Sequence, residues 1–179
     1  MKSRVVLLLY QGGNTEIVRD RRGNATVMEY DDQGNIICTT DPYGNKTKST
    51  FDENGNQLSI TDANGNTTNY AYNSDGNITT VTSPTGETVY TDYSSGSNVS
   101  TIRTADKTLF TADYNNKGVV SNITDSNGNK TDYEYDADGN LTGLTDSIGT
   151  VQTVTYDGDG NVKAVTNGAG DTTTYTYNE

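Results

Sequence analysis

The chain of 179 residues contains no histidine, a single cysteine and two prolines. Without histidine, neither a Ser–His nor a Cys–His nucleophile system can be built. The commonest metal ligand and general base is also missing. The lone cysteine, Cys38, permits no disulfide framework and no Cys-based zinc site. It sits in the segment Ile36–Thr40 and reads as a small buried hydrophobe, not a nucleophile. Apolar residues make up only 30%, well below the share usual for a globular domain. Lys and Arg number 12 against 24 Asp and Glu, a net charge of −12. The densest basic group, Arg19, Arg21 and Arg22, lies among acids, so no nucleic-acid partner is expected. No apolar run is long enough to span a bilayer, and membrane insertion is not expected. Val5–Leu9 is too short for a signal-peptide core and no small-residue cleavage site follows it. Any export signal is expected outside this chain.

Low hydrophobicity with high charge is also the signature of disorder. The residue types point the other way. Thirteen Tyr and two Pro, with abundant Thr and Val, make a β-forming composition. The 19 Gly recur at regular intervals, as punctuation does.

That regularity is a repeat of 21 residues, readable from Asp20 to the end without a gap. Residues 20–179 form a single array of seven full units and one partial unit, and residues 1–19 fit as a degenerate partial repeat. One column is always aromatic: Tyr30, Phe51, Tyr72, Tyr93, Tyr114, Tyr135, Tyr156 and Tyr177. Two residues earlier stand Met28, Tyr70, Tyr133, Val154 and Tyr175, with Ser49, Thr91 and Ala112 breaking the column. A third column is aliphatic (Ile36, Ile78, Val99, Val120, Leu141, Val162), and so is a fourth (Val18, Ile60, Val81, Ile102, Ile123, Leu144, Val165).

Each unit holds the same turn twice, Asp-x-x-Gly, usually followed by Asn. Its glycines are Gly23, Gly34, Gly44, Gly55, Gly65, Gly76, Gly128, Gly139, Gly149 and Gly160. Aspartate accepts from backbone N–H groups further along the turn, the central pair takes type I geometry, and glycine supplies the positive φ that closes a bulged hairpin. The intervening segments are strand-length. Thr68, Tyr70 and Tyr72 alternate onto one face. Ile78 and Val81, three apart, fall on opposite faces unless a bulge re-aims one of them.

The expected fold is all-β: a meander of roughly sixteen antiparallel strands, about 75 Å wide if flat. Strips of that length curl, which gives a spiral β-sheet with Tyr and aliphatic residues inside and turns on two rims. A parallel β-solenoid with one coil per unit is the alternative.

In the loop after Tyr135, Asp136, Asp138 and Asn140 are spaced like the opening ligands of an EF-hand. They are the only metal candidate, and a weak one. Position 6 is Leu141 where glycine is needed, and position 12 is Ser147 where a bidentate glutamate belongs. Other units keep the frame but replace the middle acid with Gln33, Asn54 or Lys117, as a turn would allow. No cofactor is expected. Strand carboxylates such as Glu29, Asp92 and Glu134 read as a solvated face, and no acid–base set converges, so no catalytic residue is assigned. Asn-x-Thr triplets such as Asn66-Thr67-Thr68 and Asn77-Ile78-Thr79 follow from the repeat and are read as structural.

The run Thr131–Leu141, with Tyr72–Ile78 and Tyr156–Val162, resembles the YD repeat of the Rhs family. The resemblance covers residues 20–179. It implies spiralling antiparallel sheets that close into hollow shells. In Rhs and wall-associated toxins such a shell encloses a C-terminal toxin domain, and related repeats occur in teneurins and in surface proteins proposed to bind carbohydrate. It therefore implies a secreted or cell-surface, non-catalytic structural array, with a carbohydrate-binding or adhesion module as the alternative. Expected partners are neighbouring repeats of a longer chain, a second copy paired through strand edges, glycans, or an enclosed toxin domain. The chain departs from the full-length pattern in having no autoproteolysis segment, toxin domain or plug. Lys107 replaces a turn glycine and Gly96 is displaced by one, so an irregularity is expected near residues 94–107. Its ending inside a unit, at Asn178-Glu179, is expected of a fragment.

Overall fold

The structure is a computed structural model, and it describes residues 14–178. The apolar run Val5–Leu9 and most of the partial repeat at residues 1–19 lie outside the described residues. Contacts divide the chain into two units, Met1–Val89 and Tyr90–Glu179.

In the first unit the strands are β1 (Thr15–Arg19), β2 (Ala25–Tyr30), β3 (Ile36–Thr40), β4 (Lys46–Phe51), β5 (Gln57–Thr61), β6 (Thr67–Tyr72) and β7 (Ile78–Thr82). The strand β8 (Thr88–Tyr93) meets the division. The second unit continues with β9 (Val99–Arg103), β10 (Thr108–Tyr114), β11 (Val120–Asp125), β12 (Lys130–Tyr135), β13 (Leu141–Asp146), β14 (Gly149–Tyr156), β15 (Val162–Asn167) and β16 (Thr172–Thr174). Within each unit the order in the sheet is the order in the chain. The pairings are antiparallel, as in β2 with β3 and β14 with β15. No helix occurs among the described residues. The antiparallel hairpin reading therefore holds and the parallel solenoid does not.

The two kinds of strand junction differ. Across the second turn of each repeat the ladder is long and interrupted once. Asn69, Tyr70 and Ala71 face Thr82, Val81 and Thr80, but Tyr72 faces Ile78, leaving Thr79 as an extra residue. The same slip stands before Tyr30, Phe51, Tyr114, Tyr135 and Tyr156. This bulge settles how Ile78 and Val81 lie. Both oppose residues of the tyrosine face, Tyr72 and Tyr70, so the four columns share one face. Across the first turn the ladder is shorter in most repeats: β5 and β6 pair only at Ser59–Asn69, Ile60–Thr68 and Thr61–Thr67, whereas β1 and β2 pair without interruption from Thr15–Glu29 to Arg19–Ala25.

The strand charges segregate, apart from Glu16, which opposes Met28 on the tyrosine face. Lys48 pairs with Thr61, Asp92 with Thr101, and Glu134 with Gly143, all on the face opposite the aromatic column. On that face Asp92 and Arg103 form an ion pair at 3.2 Å, and the Arg103 guanidinium lies 4.5 Å from the Tyr90 ring centroid. Threonine hydroxyls also meet there across strands, Thr61 with Thr67 at 2.8 Å.

The buried core is slight. Among the described residues only Cys38, Ala112 and Val154 are buried apolar side chains. Tyr30, Phe51, Tyr72, Tyr93, Tyr114, Tyr135 and Tyr156 are half-buried, and Tyr177 is 54% exposed. The aromatic column is a shared face, not an interior sealed from water, because among the described residues nothing packs over the single sheet layer within either unit. Cys38 opposes Glu29 and Lys48, on the charged face.

Irregularity does fall at residues 94–107. The turn after Tyr93 keeps only the outer bond, Ser94 N–H to the Asn98 carbonyl. At Thr104 the loop closes one residue early, on the Lys107 carbonyl at 2.8 Å. No residue other than glycine takes a positive φ among those described, so Lys107 cannot do what a turn glycine does. The surplus residue appears as a register shift between Thr108 and Phe110.

Candidate functional site

The recurring chemistry lies at the turns and at the tyrosine column. In the turn Asp52–Asn56, the Gly55 N–H donates to the Asp52 carbonyl at 3.1 Å, and the Asp52 N–H donates to the Asn56 carbonyl at 2.9 Å. Asp52 Oδ1 accepts from the N–H groups of Asn54 and Asn56 at 2.9 and 2.8 Å, and its Oδ2 accepts from Asn56 Nδ2 at 2.9 Å. The same set recurs at Asp20, Asp31, Asp41, Asp62, Asp125, Asp136 and Asp157. The Asn side chain holds seven of these carboxyls below the ordinary aspartate range. For Asp157 the largest cause is the Asn161 backbone N–H. Hydrogen bonds to the charged form lower a carboxyl's pKa.

Each turn glycine singled out above, namely Gly23, Gly34, Gly44, Gly55, Gly65, Gly76, Gly128, Gly139, Gly149 and Gly160, takes a positive φ. Gly76 illustrates the need, with φ at 79° and a Cβ position 3.7 Å from Asn56 Oδ1 of the preceding repeat. Successive second turns therefore stack along one rim. Gly55 lies equally close to Asn35 Oδ1, and Lys117 Nζ donates to the Ala137 carbonyl.

Asp136, Asp138 and Asn140 occupy one of these turns. Asp136 Oδ1 accepts from the N–H groups of Asp138, Gly139 and Asn140 at 3.0, 2.8 and 2.9 Å. Its Oδ2 accepts from Asn140 Nδ2 at 3.0 Å. Both oxygens of the Asp136 carboxylate are thus engaged by the turn itself. Among the described residues no group of three or more His, Cys, Asp or Glu is placed to hold a metal ion. Glu29, Asp92 and Glu134 lie on separate strands, β2, β8 and β12.

The aromatic column carries a bond that the sequence did not reveal. Tyr72 Oη donates to the Gln57 carbonyl at 2.8 Å, Tyr114 to Val99 at 2.8 Å, Tyr156 to Leu141 at 2.9 Å, and Tyr177 to Val162 at 3.1 Å. Each acceptor lies fifteen residues earlier and opposes the preceding aromatic: Gln57 faces Phe51 and Leu141 faces Tyr135. The short ladder between repeats ends before this point, and the phenol takes up a carbonyl beyond it. At the start of the series Tyr30 donates instead to Glu16 Oε2 at 2.7 Å, which raises the phenol's pKa above its usual value. Burial raises that of Tyr72. Phe51 has no hydroxyl to give. A backbone acceptor leaves no mark in a sequence; only the constancy of the phenol hinted at a partner.

The stretch between consecutive second turns forms an open groove that recurs with the repeat. One of about 560 Å³ is lined by Asp52, Asn54, Asn56, Leu58, Tyr70 and Tyr72 with the turn 73–76. Others lie beside Tyr30, beside Tyr133 and Tyr135, and beside Tyr175 and Tyr177.

Turns with bonded aspartates, a one-sided aromatic column and phenol straps between neighbouring repeats at four positions define a tandem β-hairpin repeat protein. The chain belongs to the RHS Repeat family, whose model matches residues 51–88, 114–151 and 156–179, more than half its length. It is an Rhs-type structural repeat segment. Among solved structures it is similar to TcdB2-TccC3-TEV, at 14% identity and a TM-score of 0.49, covering 85% of this chain and 12% of that one. It is also similar to the Tc holotoxin pore of Photorhabdus luminescens carrying a TccC3 mutation, at 12% identity and a TM-score of 0.46, covering 85% of this chain and 13% of that one. The chain thus spans about one-eighth of the length of these structures. No curated protein sequence matches it.

Proposed function

We propose that the chain is a non-catalytic wall segment, one stretch of a larger Rhs-like β-shell or surface protein that is secreted or held at the cell surface. In this reading residues 20–179 act as a single array, and the wall encloses another polypeptide, such as a toxin domain. The observation that carries it is the phenol-to-carbonyl bond between neighbouring repeats, made by Tyr72 to Gln57 and again by Tyr114, Tyr156 and Tyr177. The hydroxyls of these four column tyrosines are thereby used in holding repeats together. Stability in such arrays accumulates from nearest-neighbour contacts.

A second reading rests on the recurring grooves. Tyr70, Asn54 and Asn56 line one of them, and a ring beside amide groups is what a sugar contact uses. A glycan panel probed with the purified chain separates the readings. The wall reading expects no selective binding. Selective binding that disappears in Tyr70→Ala would replace it with carbohydrate recognition.

A further inference from the structure

We propose that Asn54, Asn64 and Asn127 are deamidation sites whose reaction is gated by opening of their own turns. Each is exposed, stands third in its turn and precedes a glycine. In the reaction the following glycine nitrogen attacks the asparagine Cγ. A C–N bond forms, the side-chain nitrogen leaves as ammonia, and the glycine N–H proton passes to solvent base. Water then opens the cyclic imide at either carbonyl, giving aspartate or isoaspartate. Glycine after asparagine leaves that nitrogen open to approach, since no side chain shields it.

The closed turn withholds that nitrogen. The N–H groups of Gly55, Gly65 and Gly128 donate to the carbonyls of Asp52, Asp62 and Asp125 at 3.1, 3.1 and 3.0 Å. The N–H of each asparagine is held by the aspartate Oδ1, at 2.9, 2.9 and 2.8 Å. Attack therefore waits for the turn to open, and the aspartate two residues earlier sets how often it does. A fourth Asn-Gly pair, Asn167-Gly168, is pinned through its side chain: Oδ1 accepts from Ala169 and Asp171, and Nδ2 donates to Asp171 Oδ2.

The two products differ in consequence. Asp75, Asp138 and Asp159 already fill the third position ahead of Gly76, Gly139 and Gly160, in turns whose closing bonds are intact. Conversion to aspartate leaves the turn standing. Isoaspartate lengthens the backbone by one atom inside the ring closed by the glycine N–H, and breaks it.

The test is peptide mapping by mass spectrometry after incubating the full chain in mildly alkaline buffer, folded and in urea. All four asparagines should react slowly when folded and quickly in urea. Asp62→Ala should speed the reaction at Asn64 by about tenfold or more, the scale set by losing hydrogen bonds to a charged group, while Asn54 and Asn127 stay slow. Asp62→Asn keeps the Oδ1 acceptor and should speed it far less. Should Asp62→Ala unfold the chain, seen as acceleration everywhere, Asp125→Ala read at Asn127 against Asn54 makes the same comparison. Equal folded and urea rates in the wild type, or no local acceleration in a folded variant, would overturn the proposal.

Discussion

The hydroxyl of Tyr72 donates to the carbonyl of Gln57, across a gap that the ladder between β5 and β6 does not close. Three further tyrosines repeat the bond at the same spacing. Tyr72→Phe should cost about 0.5–1.5 kcal/mol, measured as a lowered urea midpoint. Phe51→Tyr, the reverse change at the one position that lacks the hydroxyl, should gain a similar amount by reaching the Ile36 carbonyl. Equal midpoints for both variants and the wild type would remove the strap as a source of stability.

One turn carries a mismatch. Asn73 stands where the eight turns with the full set of bonds have aspartate, and its Oδ1 serves the N–H groups of Asp75 and Asn77. With no Oδ2 to receive it, Asn77 Nδ2 is buried without a partner. The turn at Asn167 avoids this by exchanging roles, since Asn167 Nδ2 donates to Asp171 Oδ2. A neutral amide pair, even with Asn77 turned end for end, lacks the strength of a bond to a carboxylate. Asn73→Asp should therefore stabilise the chain by about 1 kcal/mol, read by thermal or urea unfolding.

Glycines separate by backbone. Gly76 has φ at 79° and Gly158 is not among the positive-φ glycines. Neither position would crowd a Cβ closer than 3.7 Å. Gly76→Ala should cost about 1–2 kcal/mol from left-handed strain alone, while Gly158→Ala should leave the unfolding midpoint nearly unchanged.

Acid should weaken the turns. Asp20, Asp31, Asp41, Asp52, Asp62, Asp125, Asp136 and Asp157 all have carboxyls lowered in the fold. A lowered folded value means the unfolded chain binds more protons through the window between the two values. The contribution is complete above the ordinary aspartate value of about 3.9 and is lost as pH falls through the lowered folded values. Tyr30 has the opposite sign: its raised phenol adds stability that is complete below its ordinary value and lost as pH climbs through the folded one. Unfolding midpoints followed from neutral to strongly acidic pH should fall only below the ordinary carboxylate range. The Asp136 turn, by contrast, should not answer to calcium, and melting with and without chelator should give one midpoint.

The turns were legible in the sequence because their chemistry is local: Asp52, Gly55 and Asn56 lie within five residues. Periodicity exposed the aromatic column, and Lys107 in a glycine position marked where the hairpin would deform. The bulge was not legible, since Ile78 and Val81 three apart admit either a bulge or two covered faces. Nor was the degree of burial. A column from Tyr30 to Tyr177 suggested an interior, but the sheet is one layer within each unit and leaves its rings half-covered.

The central claim is that contacts between successive repeats hold the fold, and repeat insertion tests it most directly. Duplicating Asp62–Thr82 in tandem adds one unit with its own Tyr72 strap. Urea unfolding of the lengthened chain should show a higher midpoint and a steeper dependence on denaturant than the parent. An unchanged or lower midpoint would mean that the repeats stand by themselves and the straps between them do not matter.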